Sequence, residues 1–418
     1  MAEDTTTTPL HTDYDAQSDI PFRKVDHLGK GAYGVVDKVQ RGFQFYARKT
    51  FTLYKHQKRK LLNQISQEVK MITAIEHIHA VRLVETYACK LEYAMIMEPV
   101  ADGNLAEYIH DLYDGPRDHD RLSMIPGWFG CLLSAMSYLH EKNIHHRDVK
   151  PQNILHLGQN ILFTDFGIAR EFVEKTHTEF TVVNGTRSYW APEVDEGIRA
   201  GRKADIFSLG LVFLEMLAVY LNGDFLPELW SLQPYSRNLS DVHKWIYDLD
   251  MQPVEVEWYP SMVFICRNML QRDKIIRPYA SALEICWYYH PFSVMPPVTC
   301  VCLGQSKFKD MNDARQIAQS HGHQLALQLL LRRGSSIDGS CVSDLDKQTL
   351  SFSKITHVST LPYGGMTTVD QNHEPSALTN SLYLRLGDHK KSKITGGSTS
   401  HSTYMEDLAR RMVCTSLP

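Results

Sequence analysis

The sequence has no strong excess of charge of either sign. Its 418 residues include 44 Lys and Arg against 48 Asp and Glu, so the formal net charge is −4 with histidine neutral. General nucleic-acid binders usually carry a clear basic balance, and this chain is therefore expected to have no nucleic-acid partner. The 43% hydrophobic and 22% charged residues are typical of a globular chain. The length fits two or three domains, or one large two-lobed domain with tails.

A secretory signal and a membrane-spanning run are also missing. The first residues, MAEDTTTTPLHTDYDA, are acidic and polar and hold no apolar core. The longest apolar run, Leu209 to Leu221, is interrupted by Glu215 and is too short to cross a bilayer. The eight cysteines have no regular spacing, which favours a reduced compartment over a disulfide framework. We therefore expect an intracellular protein, in the cytoplasm or the nucleus, with no membrane partner.

The chain divides into three consecutive regions of different composition. Residues 1–20 are rich in Thr and Asp without hydrophobic periodicity, which predicts a disordered N-terminal arm. Over 21–295 apolar residues recur first at strand spacing and then at helix spacing. This predicts an α+β fold with a small β-rich lobe and a larger α-helical lobe. Residues 296–418 form a C-terminal tail, most of which we expect to be weakly ordered.

Apolar periodicity also predicts individual elements within 21–295. Strands are predicted within 24–40, 43–53, 81–88 and 93–97. Helices are predicted over 56–75, 128–140, 206–221 and 280–289.

A glycine-rich turn joins the first two predicted strands. Gly29, Gly31 and Gly34 stand in the sequence LGKGAYGVV, and glycines at this spacing let backbone N–H groups approach a phosphate closely. A structural hairpin is the alternative, because the motif alone is weak. A strand rather than a helix follows the glycines, which disfavours a dinucleotide-binding fold.

Lys49 ends a strand-like run fifteen residues after Gly34. A lysine within an apolar strand behind a glycine-rich loop can reach nucleotide phosphates, but it then needs a carboxylate to hold it. Glu68 is the candidate, because its helix is predicted to turn the neighbouring apolar residues inward. The alternative is an exposed Glu68 that pairs with Lys60 or Lys70 on the helix surface.

The strongest signal is the segment IHHRDVKPQNIL at 144–155, followed by DFG at 165–167 and APE at 191–193. Together with the glycine-rich turn, Lys49 and Glu68, these motifs in this order resemble eukaryotic protein kinases of the serine/threonine type. The resemblance covers residues 22–292, about two thirds of the chain. It implies a protein-kinase-like two-lobed fold.

The resemblance implies transfer of the ATP γ-phosphate to protein hydroxyl groups, with ATP and Mg²⁺ between the lobes. It assigns Mg²⁺ to Asn153 and Asp165, whose oxygens suit a hard cation. Asp148 would accept the proton of the substrate hydroxyl or orient that group. Lys150 would steady the transferring phosphate.

The resemblance further assigns the α- and β-phosphates to Lys49, fixed by Glu68. Adenine would lie between Val36 and Ala47 above and Leu155 below. Met97 would guard the back of the pocket, and the backbone of Glu98 and Val100 would bond the adenine edge. The full set implied for the nucleotide is Leu28, Gly29, Gly31, Gly34, Val36, Ala47, Lys49, Met97, Glu98, Val100, Leu155 and Asp165.

Several residues are expected to act structurally. Glu193 should pair with Arg277, and Asp205 should bond backbone groups at the His-Arg-Asp loop. Arg48 stands where the family usually has an aliphatic residue, and it should face away from adenine. An apolar column linking the lobes is expected from Ile72, Val84, His146 and Phe166.

Substrate choice and regulation follow from the same resemblance. Lys150 and Thr186 favour serine/threonine over tyrosine substrates. Asn104 and Gln152 are neutral where kinases that favour an upstream arginine often carry acids, so we expect weak demand for Arg three residues before the target.

Arg147 places a cation beside the catalytic Asp148. Phosphorylation of Thr178 or Thr181 is expected to order the activation segment through this arginine. The alternative is that Glu174 or Glu179 already supplies the anion.

Two other readings compete with an active protein kinase. A pseudokinase acting as a scaffold or binding module is opposed by the presence of Lys49, Asp148, Asn153 and Asp165. A small-molecule kinase is opposed by the Ala-Pro-Glu segment and Thr186, which build a peptide-binding ledge.

Within the tail, residues 313–339 resemble one ankyrin unit that could bind a protein partner. One such repeat cannot bury its own apolar face, so an amphipathic helix pair docked on the catalytic domain, or a degenerate remnant, is the alternative. Cys300 and Cys302 are too isolated in the sequence to indicate a metal site.

Overall fold

A computed structural model describes most of the region predicted to be folded. The described residues are 10–31, 34–54, 58–166, 187–198, 201–221, 226–252 and 258–288, with single positions at 254, 256, 302, 316 and 319. All of them belong to the first of two compact units, Met1–Asp344. The second unit, Leu345–Pro418, lies outside the described residues, as does the ankyrin-like segment 313–339 apart from two positions.

Six strands form the sheet of the small lobe, in the order β1-β5-β6-β4-β3-β2. Neighbouring strands are antiparallel except β1 and β5, which are parallel. The bounds are β1 Leu10–Tyr14, β2 Arg23–Gly31, β3 Gly34–Arg41, β4 Gln44–Thr52, β5 Arg82–Cys89 and β6 Glu92–Glu98. One helix, α1 Lys58–Thr73, buries an apolar face that includes Ile65 and Ile72. The strands and the helix predicted for this lobe are confirmed.

The N-terminal segment is ordered from Leu10, so the expectation of a disordered arm over 1–20 is wrong for its second half. β1 pairs with β5 over five residues. The Nδ1 atom of His11 lies 2.7 Å from the Thr86 hydroxyl, and its ring stacks on Tyr93. The order of this polar segment comes from an existing sheet edge and not from an apolar pattern of its own. Its first nine residues lie outside the described part of the chain.

Helices dominate the large lobe, as predicted. They are α2 Leu105–Asp114, α3 His119–Glu141 and the later helices Pro192–Asp195, Arg202–Leu221, Leu226–Ser231, Leu239–Asp250, Tyr259–Met269 and Ala280–Tyr288. A small sheet is formed by β7 Gly103–Asn104, β8 Ile154–Leu157 and β9 Asn160–Phe163.

Two of these helices, α3 and Arg202–Leu221, are long and apolar enough to cross a membrane by composition. Inside the protein 78% and 83% of their most apolar windows are buried. A helix that is apolar nearly all round is expected where other elements enclose it. Burial in the core of the lobe therefore accounts for the apolar character of both helices.

Backbone hydrogen bonds tie the segment before β5 to β9 of the large lobe. Phe163 N–H donates to His79 O at 2.9 Å, and Val81 N–H donates to Phe163 O at 3.0 Å. Asp165 follows Phe163 by two residues. These bonds therefore fix the position of Asp165 relative to the small lobe.

The apolar column between the lobes contains one residue that the sequence did not predict. The rings of His146 and Phe166 lie 5.1 Å apart, and Phe166 and Ile72 belong to the main core. Leu83 joins that core, whereas Val84 packs against the second core on the other face of the sheet. The prediction of Val84 is therefore wrong. An irregularity in the β5–β6 register between Leu83 and Glu85 shifts the alternation of side chains.

Candidate active site

A buried carboxylate fixes the loop that carries Asp148. Asp205 Oδ2 accepts a hydrogen bond from His146 N–H at 3.0 Å, and Oδ1 accepts one from Arg147 N–H at 2.7 Å. Burial acts to raise the pKa of Asp205, but His140 and the backbone donors hold it below its ordinary value. Arg147 has φ +65°, a strained conformation that persists only where the surroundings impose it. The expected role of Asp205 is confirmed.

Asp148 is the centre of a hydrogen-bonded cluster. Asn153 Nδ2 donates to the backbone oxygen and to Oδ2 of Asp148, both at 2.8 Å. Lys150 Nζ lies 2.8 Å from the same Oδ2. Because both donors use Oδ2, the second carboxylate oxygen is the one placed to accept a hydrogen bond from an incoming hydroxyl group.

Lys49 lies between two carboxylates, and one of them is Glu68, the partner that the sequence predicts. Its Nζ is 2.7 Å from Asp165 Oδ1 and 3.2 Å from Glu68 Oε1. Lys49 and Glu68 are only 6% and 2% exposed. The alternative of a surface pair for Glu68 is therefore wrong, because the carboxylate faces the cleft and not the outside of α1.

Burial and charge act in opposite directions on this triad. Burial alone would lower the pKa of Lys49, but the charges of Asp165 and Glu68 raise it, so the amine stays protonated. Burial raises the pKa of Glu68 to about 7, although Lys49 acts to lower it. Burial also acts to raise the pKa of Asp165, but Lys49 holds it below its ordinary value. Asp165 is therefore charged at neutral pH.

Oxygen donors for a cation lie next to this triad. Thr164 N–H donates to Asn153 O at 3.0 Å, which ties Asn153 to the residue before Asp165. The side-chain nitrogen of Asn153 donates to Asp148. The side-chain carbonyl oxygen of Asn153 is therefore the atom that could bind a cation. A charged carboxylate and an amide oxygen are ligands that suit Mg²⁺. Asn153 and Asp165 therefore fit the predicted metal site.

The glycine-rich turn forms the hairpin between β2 and β3, where Gly31 pairs with Gly34. A Cβ atom on Gly34 would stand 2.4 Å from Thr50 O, so the packing of β4 requires glycine there. Gly29 has no neighbour within 4 Å of such an atom, and packing does not explain it. The tip of the turn, 32–33, lies outside the described residues.

One face of the small-lobe sheet carries four predicted site residues. Val36 is the cross-strand partner of Lys49, and Ala47 is the partner of Met97. Directly opposed residues share a face of the sheet, and so do residues two apart on one strand. Val36, Ala47, Lys49 and Met97 therefore line the same face.

The other two apolar residues predicted for the nucleotide lie on β2 and β8. Leu28 is 42% exposed, and Leu155 is partly buried against the main core. Arg48 takes the opposite face of β4, where it contacts Asp37 Oδ2 at 3.1 Å. Its expected orientation away from adenine is confirmed.

The hinge, residues 98–102, connects the two lobes. The Glu98 side chain forms an ion pair with Arg82, and Pro99 has no N–H group. This leaves the Glu98 carbonyl and the Val100 backbone to bond a planar ligand. A cavity of about 680 Å³ also touches the hinge, but none of the four residues on the Val36 face lines it. It shares only the hinge residues Glu98 and Val100 with the predicted nucleotide site.

Comparison with known proteins agrees with this geometry. Residues 22–285 match the family model described as the protein kinase domain. The chain belongs to the protein kinase family.

Individual relatives match the kinase domain at moderate identity. The serine/threonine-protein kinase AtPK2/AtPK19 of Arabidopsis thaliana is 31% identical over 199 residues, 47% of this chain and 41% of that protein. MAP3K epsilon protein kinase 1 of the same plant is 30% identical over 262 residues, 62% and 18% of the two chains. The human cAMP-dependent protein kinase catalytic subunit PRKX is 32% identical over 202 residues, 47% and 53%. The chain thus matches less than two thirds of the length of each of these relatives.

A buried ion pair anchors the end of the activation segment in the kinase domain. Arg277 Nη1 and Nη2 donate to Glu193 Oε1 and Oε2 at 2.8 and 2.7 Å. Both residues are buried, and the predicted pair is confirmed. The preceding part of the segment, 167–186, lies outside the described residues, together with Thr178, Thr181 and Thr186.

Sequence reasoning missed a second buried contact under this segment of the kinase domain. Glu215 is 2% exposed and accepts hydrogen bonds from the hydroxyl groups of Tyr189 and Tyr235 at 2.7 and 2.8 Å. Burial raises its pKa to about 7, although these donors act to lower it. The sequence signal that could have revealed this contact is the position of an acidic residue, Glu215, inside the longest apolar run.

The raised pKa of Glu215 predicts that the stability of the folded protein depends on pH. Its pKa of about 7 in the folded kinase domain lies above the ordinary value of 4.5, so between these values the folded state holds the additional proton. The free energy of unfolding should therefore fall by about 3 kcal/mol, through this group, as the pH rises across that window. Denaturant unfolding at a series of pH values measures the effect.

The matched variants for this prediction are Glu215→Gln and Glu228→Gln. Glutamine at 215 keeps an acceptor for both tyrosines and should remove this part of the pH dependence. Glu228 is exposed, and its substitution should leave the profile as it is in the unchanged chain. Parallel profiles for both variants would contradict the role given to Glu215.

Proposed function

We propose that the chain is a serine/threonine protein kinase that transfers the γ-phosphate of ATP to hydroxyl groups of proteins. The observation that carries the proposal is the contact of Lys49 with both Glu68 and Asp165, 2.7 to 3.2 Å between the atoms. It brings a strand lysine, a helix glutamate and a metal-binding aspartate together in one cleft. That arrangement positions phosphates and balances their charge, which is most of what phosphoryl transfer needs.

Each part of the cleft has its own task in this reaction. The protonated Lys49 binds the α- and β-phosphates, and Glu68 keeps its amine in place. Mg²⁺, when bound with ATP, neutralises charge on the phosphates, and Asp165 and Asn153 are the residues that would hold it. Lys150 contributes a second positive charge beside Asp148.

Asp148 receives the substrate. Its Oδ2 is engaged by Asn153 and Lys150, so the protein fixes the orientation of the carboxylate before any substrate arrives. The other oxygen can take a hydrogen bond from a serine or threonine hydroxyl group and turn its lone pair towards the phosphate. Lys150 next to this aspartate is the feature by which the motif resembles the serine/threonine class.

The test is transfer of radiolabelled phosphate from ATP to generic protein substrates. The full chain should label substrate, Asp165→Ala should not, and Asp248→Ala on the surface should behave as the full chain does. If labelling is absent in all three chains, or equal in all three, the proposal fails. Binding of ATP without transfer would favour the alternative of a scaffold.

We further propose that the enzyme does not require an arginine three residues before the target hydroxyl group of its substrate. Asn104 Oδ1 accepts a hydrogen bond from Glu107 N–H at 3.0 Å, so this neutral side chain caps α2. Gln152 is exposed and carries no charge. Neither residue offers a carboxylate to a substrate guanidinium group.

A single substitution should create the preference that the chain lacks. Gln152→Glu should raise kcat/KM for a peptide with Arg at that position by about fivefold relative to its Ala counterpart, since an exposed ion pair is worth up to ~1 kcal/mol. The unchanged enzyme should use both peptides about equally. Strong selection for the arginine peptide before substitution would contradict the proposal.

A further inference from the structure

A buried cluster of nitrogen and sulfur ligands lies outside the active site. It consists of His79 in the segment before β5, Cys131 on α3, and Cys302 beyond the last described helix. One ligand atom from each lies within 4.8 Å of the others, and the residues are 0%, 3% and 6% exposed. Within the described part of the chain this is the one group of three such residues. We propose that it binds a Zn²⁺ ion.

The sulfur separation suits one shared ion. The Sγ atoms of Cys131 and Cys302 are 3.9 Å apart. Two thiolates that each lie about 2.3 Å from one tetrahedral Zn²⁺ are separated by about 3.8 Å. A disulfide would need about 2.05 Å. The observed separation is therefore close to that of two thiolates bound to one Zn²⁺ ion.

The histidine is held in the form that binds a metal. His79 Nδ1 lies 2.7 Å from the backbone oxygen of Ile161. That oxygen can only accept, so Nδ1 donates in this contact, and Nε2 is the nitrogen that would bind the ion. Histidines that bind metals usually donate their other ring N–H to a carbonyl or carboxylate in this way.

Charge balance favours a divalent cation of the zinc type. Two thiolates and a neutral imidazole with Zn²⁺ sum to zero, so the loaded site can be buried without an uncompensated charge. Thiolate and imidazole ligands select zinc rather than Mg²⁺, which prefers oxygen. The cluster therefore does not compete with Asn153 and Asp165 for the same metal.

Zn²⁺ here would join three distant parts of the chain. His79 O accepts from Phe163 N–H, two residues before Asp165, and α3 is the central helix of the large lobe. Cys302 belongs to the chain that follows the kinase domain match, which ends at 285. The ion would therefore fix the segment after the kinase domain to the junction of the two lobes.

Metal content of the full chain tests the site directly. The protein, purified in a thiol-free reductant and equilibrated with Zn²⁺, should retain an equimolar amount after removal of free metal. Cys131→Ser and Cys302→Ser should each lower retained zinc at least about tenfold. Cys89→Ser is the matched control, because that thiol is also buried, 1% exposed, but lies in β5. Zinc retained equally by all three variants would overturn the proposal.

A second measurement does not depend on whether the variants fold. Co²⁺ added to the unchanged chain should produce the thiolate charge-transfer and tetrahedral d–d absorption bands, and Zn²⁺ should remove them. Absence of these bands would overturn the proposal. So would a Cys131–Cys302 disulfide in the peptide map of the purified chain together with no zinc uptake after reduction. Neither readout involves phosphate transfer, so failure of the proposed kinase activity would leave this result unaffected.

Discussion

Replacing Asp148 with asparagine is expected to lower kcat by about 10²–10⁴-fold, the contribution typical of a positioned general base. The variant keeps the shape of the side chain and an oxygen for Asn153 and Lys150, but it cannot take a proton. KM for ATP should change by no more than about twofold, because Asp148 does not contact the nucleotide in this assignment. Steady-state kinetics with a fixed protein substrate measure both parameters.

The control for this substitution is Asp248→Asn. Asp248 is an exposed aspartate on the helix Leu239–Asp250, and its loss should leave kcat unchanged. Thermal unfolding of both variants checks that the folded fraction is the same. If Asp148→Asn retains kcat within about tenfold, another group must accept the hydroxyl proton.

Replacing Arg277 with methionine should lower the free energy of unfolding by about 3–5 kcal/mol, since Glu193 would keep a buried charge without a partner. Arg277 also donates to the backbone oxygens of Gln271, Lys203 and Arg272 at 2.6 to 3.0 Å. These carbonyl groups would lose their donor as well. For a domain of this size the loss corresponds to a fall in Tm of about 10 °C, measurable by calorimetry.

The chain offers a matched surface pair as control. Arg272 and Glu196 connect the same two regions but are 67% and 52% exposed in their side chains. Arg272→Ala should therefore cost under ~1 kcal/mol. In the double variant Arg277→Met with Glu193→Leu, part of the lost stability should return, because no buried charge remains. Equal costs for the two single arginine variants would contradict the importance of burial.

The order of motifs in the sequence predicted most of the cleft. Lys49, Glu68 and Asp165 are far apart in the chain, yet the structure places Lys49 Nζ within 3.2 Å of both carboxylates. Such motif residues could be found because their chemistry requires fixed residue types. The lobe boundary and the strand and helix regions could be found because apolar periodicity reports which face of an element is buried.

Features that depend on irregular or distant contacts could not be predicted. Leu83 takes the place in the apolar column that was predicted for Val84, because of a local shift in strand register. A periodic sequence pattern does not reveal such a shift. The contact of Glu215 with Tyr235 depends on how the turn that holds Tyr235 packs against the helix Arg202–Leu221. The cluster of His79 with Cys302 depends on the path of the chain after the last described helix. In each case the partner is set by the folded backbone rather than by spacing along the sequence.

The folded structure begins earlier in the chain than the region that matches the protein kinase family, because the parallel strand β1 precedes that region. The family match begins at residue 22, whereas Tyr14 already packs edge-on against Tyr87 and Ile20 packs against the second core. A chain shortened to its homologous part would leave the outer edge of β5 without the five residues that pair with it. Uncovered strand edges recruit strands from other molecules, so truncation at the homology boundary should favour self-association even when the catalytic cleft is complete.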